Sequence, residues 1–238
     1  MTERLNNLEI EKQSISHVAL IMDGNRRWAR QHNLPIIEGY REGERRMEPI
    51  VKRSQELGIQ AVTFYTLSID NLERPEEEVE ILFSVFRNEV QTTLHRLKDE
   101  DVQFRPLGNI NLFPQDLHDA FQKAYEETQD KKGIVLNLAL AYSGRDEIKR
   151  AFQRLAKAGI KEEDITEQLI SEHLDTALLP DPDFIIRTGD RYRLSDFLTW
   201  QGVYSEIHFT NILWPDFTVE EFNKSISWYQ NQVRTFGR

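Results

Sequence analysis

The chain contains no cysteine and no long uncharged hydrophobic run. The lack of cysteine excludes disulfide bonds and thiolate metal sites, and it is typical of proteins in a reducing compartment. No apolar run approaches the length of a bilayer span, and the polar opening MTERLNNLEIEKQSISH has no apolar signal segment. We therefore expect a cytoplasmic protein.

Positive charge is also scarce. The chain has 30 lysines and arginines but 40 aspartates and glutamates, which gives a net charge of -10. Nucleic-acid binding rests on basic surfaces that neutralise phosphates, so this balance argues against a nucleic-acid partner. An anionic ligand would have to be held by local clusters of arginine. The 238 residues are 39% hydrophobic, which is enough for a sizeable core.

Short β-rich runs alternate with segments of helical period, without repeats or a flexible linker. The β-rich runs are HVALIM, AVTFYTL, VQFRPL, IVLNLALAY, DFIIR and EIHF, and the clearest helical segments span residues 76–98 and 145–159. This alternation predicts one α/β domain over residues 1–238, with a central, mainly parallel six-stranded sheet flanked by helices. We expect residues 1–15 to be a flexible N-terminal segment, and Thr166 to cap a further helix.

Polar residues follow several of these runs, where ligands bind in parallel sheets. They are Asp23, Gly24, Asn25, Arg26 and Arg27 after the first run, Ser68, Asp70, Asn71 and Arg74 after the second, Tyr142, Ser143 and Arg145 after the fourth, and residues 187–195 after the fifth. Glycines let backbone amides approach a ligand closely, and guanidinium groups bind phosphate oxygens in bidentate fashion. The pattern therefore indicates a phosphate site.

The stretch RTGDRYRLSDF brings Arg187, Arg191 and Arg193 within seven residues, beside the hydroxyl of Ser195. Such a cluster suits a phosphate group. The alternative is that these are ordinary surface arginines paired with the neighbouring aspartates. For any one of these arginines, a surface ion pair is the better explanation. For three of them clustered after one strand, a phosphate site becomes the better explanation.

Two carboxylates are candidate metal ligands. Asp23 and Glu206 are hard oxygen donors of the kind that Mg²⁺ prefers when a polyphosphate supplies further oxygens. Spacing alone favours the alternative that Glu206 is a surface carboxylate at the edge of the sheet, where the predicted strand EIHF begins. Asp23 is less suited to be a phosphatase nucleophile, because that pattern has a second Asp where this chain has Asn25. The glycine patterns of dinucleotide and P-loop sites are absent from the sequence.

Four motifs occur together in a characteristic order and spacing. They are MDGNRRWA, FYTLSIDNLERP, NLALAYSGRDEI and IIRTGDRYRLSDFLTWQGVYSEIHFTNILWPDF, and they resemble the cis-prenyltransferases, the family of undecaprenyl diphosphate synthase, from about His17 to Gly237. The resemblance implies an enzyme that condenses isopentenyl diphosphate with an allylic diphosphate primer, forms a Z double bond and releases pyrophosphate with the help of Mg²⁺. It also implies a hydrophobic tunnel and a homodimer. A hydrocarbon product with a diphosphate head partitions into bilayers, so we expect peripheral membrane contact during product release.

The resemblance assigns roles to individual residues. Asp23 would position Mg²⁺ and promote departure of the diphosphate, with Glu206 as the second acid at the metal. The allylic diphosphate would be bound by Gly24, Asn25, Arg26, Arg27 and Trp28. Isopentenyl diphosphate would be bound by Arg187, Arg193 and Ser195. The loop that closes over both substrates would contain Ser68, Asn71 and Arg74, with Asn71 linked to proton removal.

The helix predicted at 76–98 offers an apolar stripe for the tunnel: Val79, Leu82, Phe83 and Phe86. Ordinary core packing explains each of them equally well. The chain also departs from the family pattern at Ile36, Tyr40 and Leu72, and its end carries Arg234 one place early for the usual Arg-x-Gly. These departures leave open an unusual primer, a short product, head-to-middle coupling or lineage drift. A non-catalytic accessory subunit is a further alternative, although such subunits typically lose the Asp that this chain keeps.

Overall fold

The computed structural model of the protein describes residues 14–90, 97 and 99–233. Six strands form one sheet in the order β3-β4-β2-β1-β5-β6, and every pairing is parallel. The strands are β1 (His17–Ile21), β2 (Ala61–Tyr65), β3 (Val102–Leu107), β4 (Ile134–Ala139), β5 (Phe184–Arg187) and β6 (Glu206–Phe209). The predicted α/β class and all six predicted strands are confirmed.

Helices cover the sheet. Within the described residues they are α1 (Asn25–Gln31), α2 (Ile36–Arg45), α3 (Met47–Glu56), α4 (Glu76–Glu89), α5 (Gln115–Thr128), α6 (Gly144–Lys157), α7 (Glu167–Ser171) and α8 (Val219–Gln230). The predicted cap of α7 is confirmed, because Thr166 Oγ1 accepts a hydrogen bond from Leu169 N at 3.1 Å.

Some predictions fall on residues that the structure does not describe. The helix predicted at 76–98 begins at Glu76, and α4 is described as far as Glu89, whereas residues 91–96 and 98 lie outside the described part. Residues 1–13 and 234–238 also lie outside it, and with them most of the predicted N-terminal segment and the departure at the chain's end. The single-domain assignment over 1–238 therefore stays a prediction.

The central strands are buried on both faces, and because side chains alternate along a strand, neighbouring residues belong to different cores. Val18 and Leu20 of β1 belong to the larger core, which is shared with α3, α4, α5 and α8. Ala19 and Ile21 face a smaller core that contains Phe197. Because the body of β1 is enclosed on both sides, its polar continuation from Asp23 onward emerges only at the carboxyl edge of the sheet.

A row of polar side chains crosses β1, β2 and β4 inside the sheet. His17 Nδ1 donates to Pro180 O, so its Nε2 accepts from Thr63 Oγ1, with both distances 2.7 Å. Thr63 Oγ1 in turn accepts from Asn137 Nδ2 at 3.1 Å. Burial lowers the pKa of His17 to about 4, so the ring is neutral near pH 7.

Candidate active site

The carboxyl ends of β1, β2 and β5 meet around a cavity of about 580 Å³. Register places Ile21 beside both Tyr65 and Arg187, so the loops that follow these strands start side by side. Of the thirteen predicted site residues, eleven line this cavity: Asp23, Gly24, Asn25, Arg26, Arg27, Ser68, Asn71, Arg74, Arg187, Arg193 and Ser195. The structure thus brings together residues that lie far apart in the sequence.

The cavity is strongly positive. Its described lining contains seven arginines and two aspartates, and these are Arg26, Arg27, Arg30, Arg74, Arg187, Arg191 and Arg193 with Asp23 and Asp70. In a chain whose net charge is -10, so many guanidinium groups in one cleft give it a locally positive lining that suits an anion.

Asp23 lies at the centre of these charges. Its Oδ2 accepts a hydrogen bond from Arg187 Nη2 at 2.9 Å, and its Oδ1 accepts one from Arg27 Nη2 at 3.2 Å. The side chain of Arg187 is only 4% exposed, whereas that of Asp23 is 30% exposed. Burial lowers the pKa of Arg187, and the carboxylate of Asp23 opposes that shift. Asp23 is therefore the counter-ion of a buried guanidinium and still reaches the cavity.

The loops after β1 and β5 touch because Gly189 has no side chain. Gly189 has a φ of 82°, and a Cβ there would lie 2.5 Å from Arg27 Nη2 and 2.7 Å from the carbonyl oxygen of Asp23. That carbonyl also accepts from Thr188 Oγ1 at 2.8 Å and from Trp214 N at 3.1 Å. The backbone of Asp23 is thereby held in place from the β5 side.

The segment after β5 holds a hydroxyl between two arginines. Ser195 Oγ accepts from Arg187 Nη1 at 2.8 Å and from Arg193 Nε at 3.2 Å. Ser195, Asp196 and Leu198 have φ values of 52°, 62° and 44°, a left-handed conformation that is uncommon for residues with a side chain. Such strain persists only where surrounding contacts hold it.

Asp196 supplies those contacts. Its carboxylate accepts from the backbone N–H of Arg145 at 3.2 Å and from Thr199 Oγ1 at 3.0 Å, and Ser143 Oγ also donates to it. Its carbonyl oxygen accepts from Gly144 N at 2.8 Å. Asp196 thus ties the arginine segment to the beginning of α6.

The loop after β2 is a short turn closed by two of its own predicted site residues. Ser68 Oγ accepts from Asn71 N at 3.2 Å, and Asn71 Oδ1 accepts from Ser68 N at 3.3 Å. This reciprocal capping box fixes the turn at residues 69–73. The amide oxygen of Asn71 is engaged in that turn, and the link of Asn71 to proton removal stays a prediction.

Glu78 joins the arginines on the other side of the cavity. Its Oε1 accepts hydrogen bonds from Arg74 Nη1 at 2.9 Å and from Tyr40 Oη at 3.4 Å. The same oxygen forms an ion pair with Arg26 Nη1 at 3.1 Å. Tyr40 Oη also accepts from Arg74 Nη1 at 3.2 Å, and burial raises the pKa of this phenol. Of the departures from the family pattern, Tyr40 therefore lines the cavity, whereas Ile36 is not part of its described lining.

Two predicted site residues lie elsewhere. Trp28 is not part of the cavity lining. Its indole N–H instead donates a hydrogen bond to Asp216 Oδ1 at 2.8 Å, outside the cavity. Glu206 begins β6 in register with Phe184, at the amino end of β5, so about 10 Å of strand separates it from the carboxyl edge. Within this chain Glu206 does not share the cavity with Asp23, and the described residues contain no cluster of three metal-ligating side chains.

Arg30 and Tyr65 also line the cavity, although neither was among the predicted site residues. Arg30 lies one helical turn beyond Arg26 on α1, a spacing that helical periodicity would have revealed. Tyr65 ends β2, and its hydroxyl donates to the carbonyl oxygens of Tyr142 at 3.2 Å and Ser195 at 3.3 Å. Burial raises the pKa of Tyr65, which keeps it a donor, and no sequence pattern signals this contact.

Two further cavities lie between the sheet and the helices α2, α3 and α4. A narrow cavity of about 70 Å³, here called the waist, shares Tyr40 and Leu82 with the active-site cavity. Beyond it lies a distal cavity of about 550 Å³. Of the predicted tunnel residues, Leu82 and Phe86 line the waist, whereas Val79 packs against the larger core and Phe83 contacts Phe113 there, with ring centroids 5.5 Å apart.

No helix in the part of the chain that the structure describes is long and apolar enough to cross a membrane.

The sequence was also compared with families and proteins that are already known. The family model described as "Putative undecaprenyl diphosphate synthase" matches residues 21–237. An isoprenyl transferase of Halalkalibacterium halodurans is 42% identical over 225 residues, which cover 93% of this chain and 88% of that protein. An isoprenyl transferase of Aquifex pyrophilus is 42% identical over 222 residues, which cover 93% and 95% of the two chains.

The fold is shared with a solved structure as well. The lavandulyl diphosphate synthase of Lavandula x intermedia, crystallised with dimethylallyl diphosphate, superposes with a TM-score of 0.91 at 33% identity, covering 94% of this chain and 99% of that one. Sequence, fold and arginine-lined cavity therefore agree that this chain is a prenyltransferase and belongs to the cis-prenyltransferase family, that of undecaprenyl diphosphate synthase.

Proposed function

We propose that the protein condenses isopentenyl diphosphate with an allylic diphosphate, forms a Z double bond and releases pyrophosphate in a reaction that depends on Mg²⁺. The observation that carries this proposal is the cavity lined by seven arginines, two of which are paired with Asp23. Two diphosphates side by side need countercharge of that size, and a bound pair would have its reacting carbons fixed relative to one another.

The two diphosphates divide between two sides of the cavity. In the proposal, Gly24, Asn25, Arg26 and Arg27 on the β1 side hold the allylic diphosphate. Arg187, Arg193 and Ser195 on the β5 side hold isopentenyl diphosphate. Arg187 contacts both Ser195 and Asp23, so it links the two subsites.

The donor set at Asp23 suits a magnesium ion that arrives with its substrate. Mg²⁺ in proteins is commonly held by one or two carboxylates together with substrate phosphates. Asp23 meets that requirement within this chain, because its carboxylate is partly exposed toward the cavity. When bound there, the ion would neutralise negative charge on the departing diphosphate.

The residues of the chain then contribute as follows. The allylic C–O bond breaks, the double bond of isopentenyl diphosphate attacks the allylic carbon, and one proton is lost to restore a double bond. The arginines around Asp23 stabilise the charge that develops on the leaving oxygens more than the ground state. Ser68, Asn71 and Arg74 form the loop that covers the substrates, with Asn71 assisting proton removal.

A second candidate is irregular head-to-middle coupling of allylic substrates. It is favoured by the similarity to the lavandulyl diphosphate synthase, whose structure holds dimethylallyl diphosphate. The accessory-subunit alternative is weaker, since Asp23 and the arginines of both subsites meet in one cavity.

We also propose a cytoplasmic homodimer that contacts membranes peripherally when it releases product. Support for the dimer comes from β6, which is an edge strand, and from large apolar side chains nearby in the sequence. Tyr192, Val203 and Tyr204 are 73%, 70% and 69% exposed. Light scattering on the purified protein would report twice the mass of the chain.

The decisive experiment incubates purified protein with Mg²⁺, isopentenyl diphosphate and allylic primers of increasing length, and identifies products by mass spectrometry and their geometry by NMR. We expect Z-prenyl diphosphates, pyrophosphate release and loss of turnover with a chelator. Coupling of dimethylallyl diphosphate without isopentenyl diphosphate would favour the second candidate. No product from any primer would overturn the assignment of an active enzyme.

A further inference from the structure

Tyr65 links two strands that the sheet itself keeps apart. It is the last residue of β2, and it lines the active-site cavity. Its hydroxyl donates to the carbonyl oxygen of Tyr142 after β4 at 3.2 Å and to that of Ser195 after β5 at 3.3 Å. Because β1 lies between β2 and β5 in the sheet, no strand ladder holds the segment after β5 to β2. The phenol of Tyr65 provides that link.

Aromatic packing fixes the direction of this hydroxyl. The ring of Tyr65 stacks on that of Phe197, with ring centroids 4.5 Å apart and an interplanar angle of 10°. The ring of Tyr142 meets it edge-on, with centroids 6.0 Å apart and an interplanar angle of 88°. Both neighbours are fully buried, and stacked and edge-to-face rings attract one another. The ring of Tyr65 is therefore held on two sides, and its hydroxyl stays aimed at the backbone of Ser195.

Ser195 is the residue that this contact stabilises. Its φ of 52° is a left-handed conformation that persists only where neighbouring contacts hold it. Its Oγ accepts from Arg187 Nη1 at 2.8 Å and from Arg193 Nε at 3.2 Å. These three residues form the proposed subsite for isopentenyl diphosphate. A donor on the Ser195 carbonyl therefore helps to fix the geometry of that subsite.

The phenol acts as a hydrogen-bond donor and not as a base. Burial, together with the nearby negative charge of Asp196, raises the pKa of Tyr65. The hydroxyl therefore keeps its proton near pH 7. A phenolate that could take a proton from a substrate is disfavoured, whereas a protonated phenol can hold the backbone of Ser195 throughout the reaction.

We propose that Tyr65 is a positioning residue of the isopentenyl diphosphate subsite: its hydroxyl holds the Ser195 carbonyl and so keeps Ser195 Oγ in reach of both arginines. This inference rests on the proposed function and deepens it. The allylic subsite is built from residues 24–27 after β1, so the hydroxyl serves only one of the two diphosphates. Its loss should weaken binding of isopentenyl diphosphate and leave binding of the primer nearly unchanged.

The test uses Tyr65→Phe, which keeps the stacked ring and removes only the hydroxyl. Isopentenyl diphosphate is not consumed without a primer, so its Kd can be measured by calorimetry on the intact protein with Mg²⁺. We expect Kd and KM for isopentenyl diphosphate to rise about fivefold, which corresponds to the loss of one neutral hydrogen bond. The primer KM and the kcat at saturation should stay within about twofold of wild type.

Thr128→Val is the matched control for lost stability. Thr128 is buried in α5 and does not line the cavity. Its hydroxyl donates to Ala124 O at 2.8 Å and accepts from Phe104 N at 3.0 Å. The change removes a hydroxyl at nearly constant shape, so it should lower Tm at least as much as Tyr65→Phe does. Its Kd for isopentenyl diphosphate should stay within about twofold of wild type, which separates positioning from general destabilisation.

A double-mutant cycle with Ser195→Ala separates positioning from direct contact with the substrate. Since the phenol acts through Ser195, adding Tyr65→Phe to Ser195→Ala should raise the Kd by less than about twofold. A rise of about fivefold in that background would show that Tyr65 contacts the ligand itself, and it would overturn the positioning role. An unchanged Kd in Tyr65→Phe, or an equal rise in KM for both substrates, would overturn it as well.

The proposed function can fail separately. Wild-type protein that binds isopentenyl diphosphate but forms no product would overturn the proposed function alone, because the Kd values still decide the role of Tyr65. Wild-type protein that does not bind isopentenyl diphosphate at all would overturn both.

Discussion

Replacing Asp23 by Asn is the change that most directly probes the cavity. The substitution keeps the size of the side chain and removes its charge. Asn can accept from only one of the two arginines, because its amide nitrogen would face the other guanidinium. Arg187, whose side chain is 4% exposed, thereby loses its counter-ion.

The structure sets the expected magnitudes. A hydrogen bond to a charged group contributes about 1.5 to 3 kcal/mol, and water replaces part of this where Asp23 is exposed. We therefore expect a loss of about 1 to 2 kcal/mol in the free energy of unfolding, or roughly 2 to 8 °C in Tm. Activity should fall far more, by about 10²- to 10³-fold or beyond in kcat, because the charge that organises the leaving diphosphate is gone.

The assay measures incorporation of labelled isopentenyl diphosphate beside a thermal melt of the same preparation. Asp216→Asn is the matched control, since Asp216 accepts one hydrogen bond from Trp28 outside the cavity. That variant should keep kcat within about twofold of wild type. A kcat near the wild-type value in Asp23→Asn would refute the role of Asp23, and an unfolded Asp23→Asn protein would show that its structural role is larger than the contacts suggest.

The remaining predictions concern the two subsites, the phenol and a buried histidine. Arg193→Ala should chiefly raise KM for isopentenyl diphosphate, and Arg27→Ala should chiefly raise KM for the primer, because each removes a charged contact on a different side of the cavity. Tyr40→Phe removes a hydroxyl bonded to Glu78, worth about 1 kcal/mol, so primer KM should rise about fivefold with kcat little changed. His17, with its pKa lowered to about 4, stays neutral in the fold while the unfolded chain binds a proton below about pH 6.5. Stability should therefore fall by about 3 kcal/mol between pH 6.5 and 4, and His17→Gln should flatten that slope in thermal melts.

Each of these predictions has a contradicting result. Equal effects of Arg193→Ala and Arg27→Ala on both substrates would contradict the division into two subsites. An unchanged primer KM in Tyr40→Phe would show that the phenol does not organise the allylic side. A pH slope as steep in His17→Gln as in the wild type would assign acid sensitivity to other groups.

The strands and the loops that carry polar residues could be predicted because their signals are local. Each β-rich run is short and apolar, and each is followed by a change to acids, amides, glycine or arginine. Once the strands are taken as parallel, their carboxyl ends must meet at one edge, so Asp23, Asn71 and Arg187 were expected to be neighbours. Thr166 was identified as a cap for a similar reason, since its hydrogen bond reaches only three residues along the chain.

The directions of side chains were harder to predict. Trp28 lies within the same motif as Arg26 and Arg27, yet it points to Asp216, because neighbours along a helix face different sides. Glu206 lies in a motif next to the arginine segment, but the register of β6 places it at the opposite end of the strand. Adjacency in sequence did not become adjacency in space for these two residues.

By itself, the sequence determined the α/β class, the six strands, the edge of the sheet at which ligands are expected and the family, because these depend on local periodicity and on motifs in order. Only the tertiary structure decided that Tyr40 joins Arg74 and Glu78, that Asp196 holds a strained segment, and that Leu82 and Phe86 of α4 line the waist. Those features arise from packing between elements distant in the chain, where a side chain's neighbours are set by strand register and helix orientation and leave no periodic signal in the residues themselves.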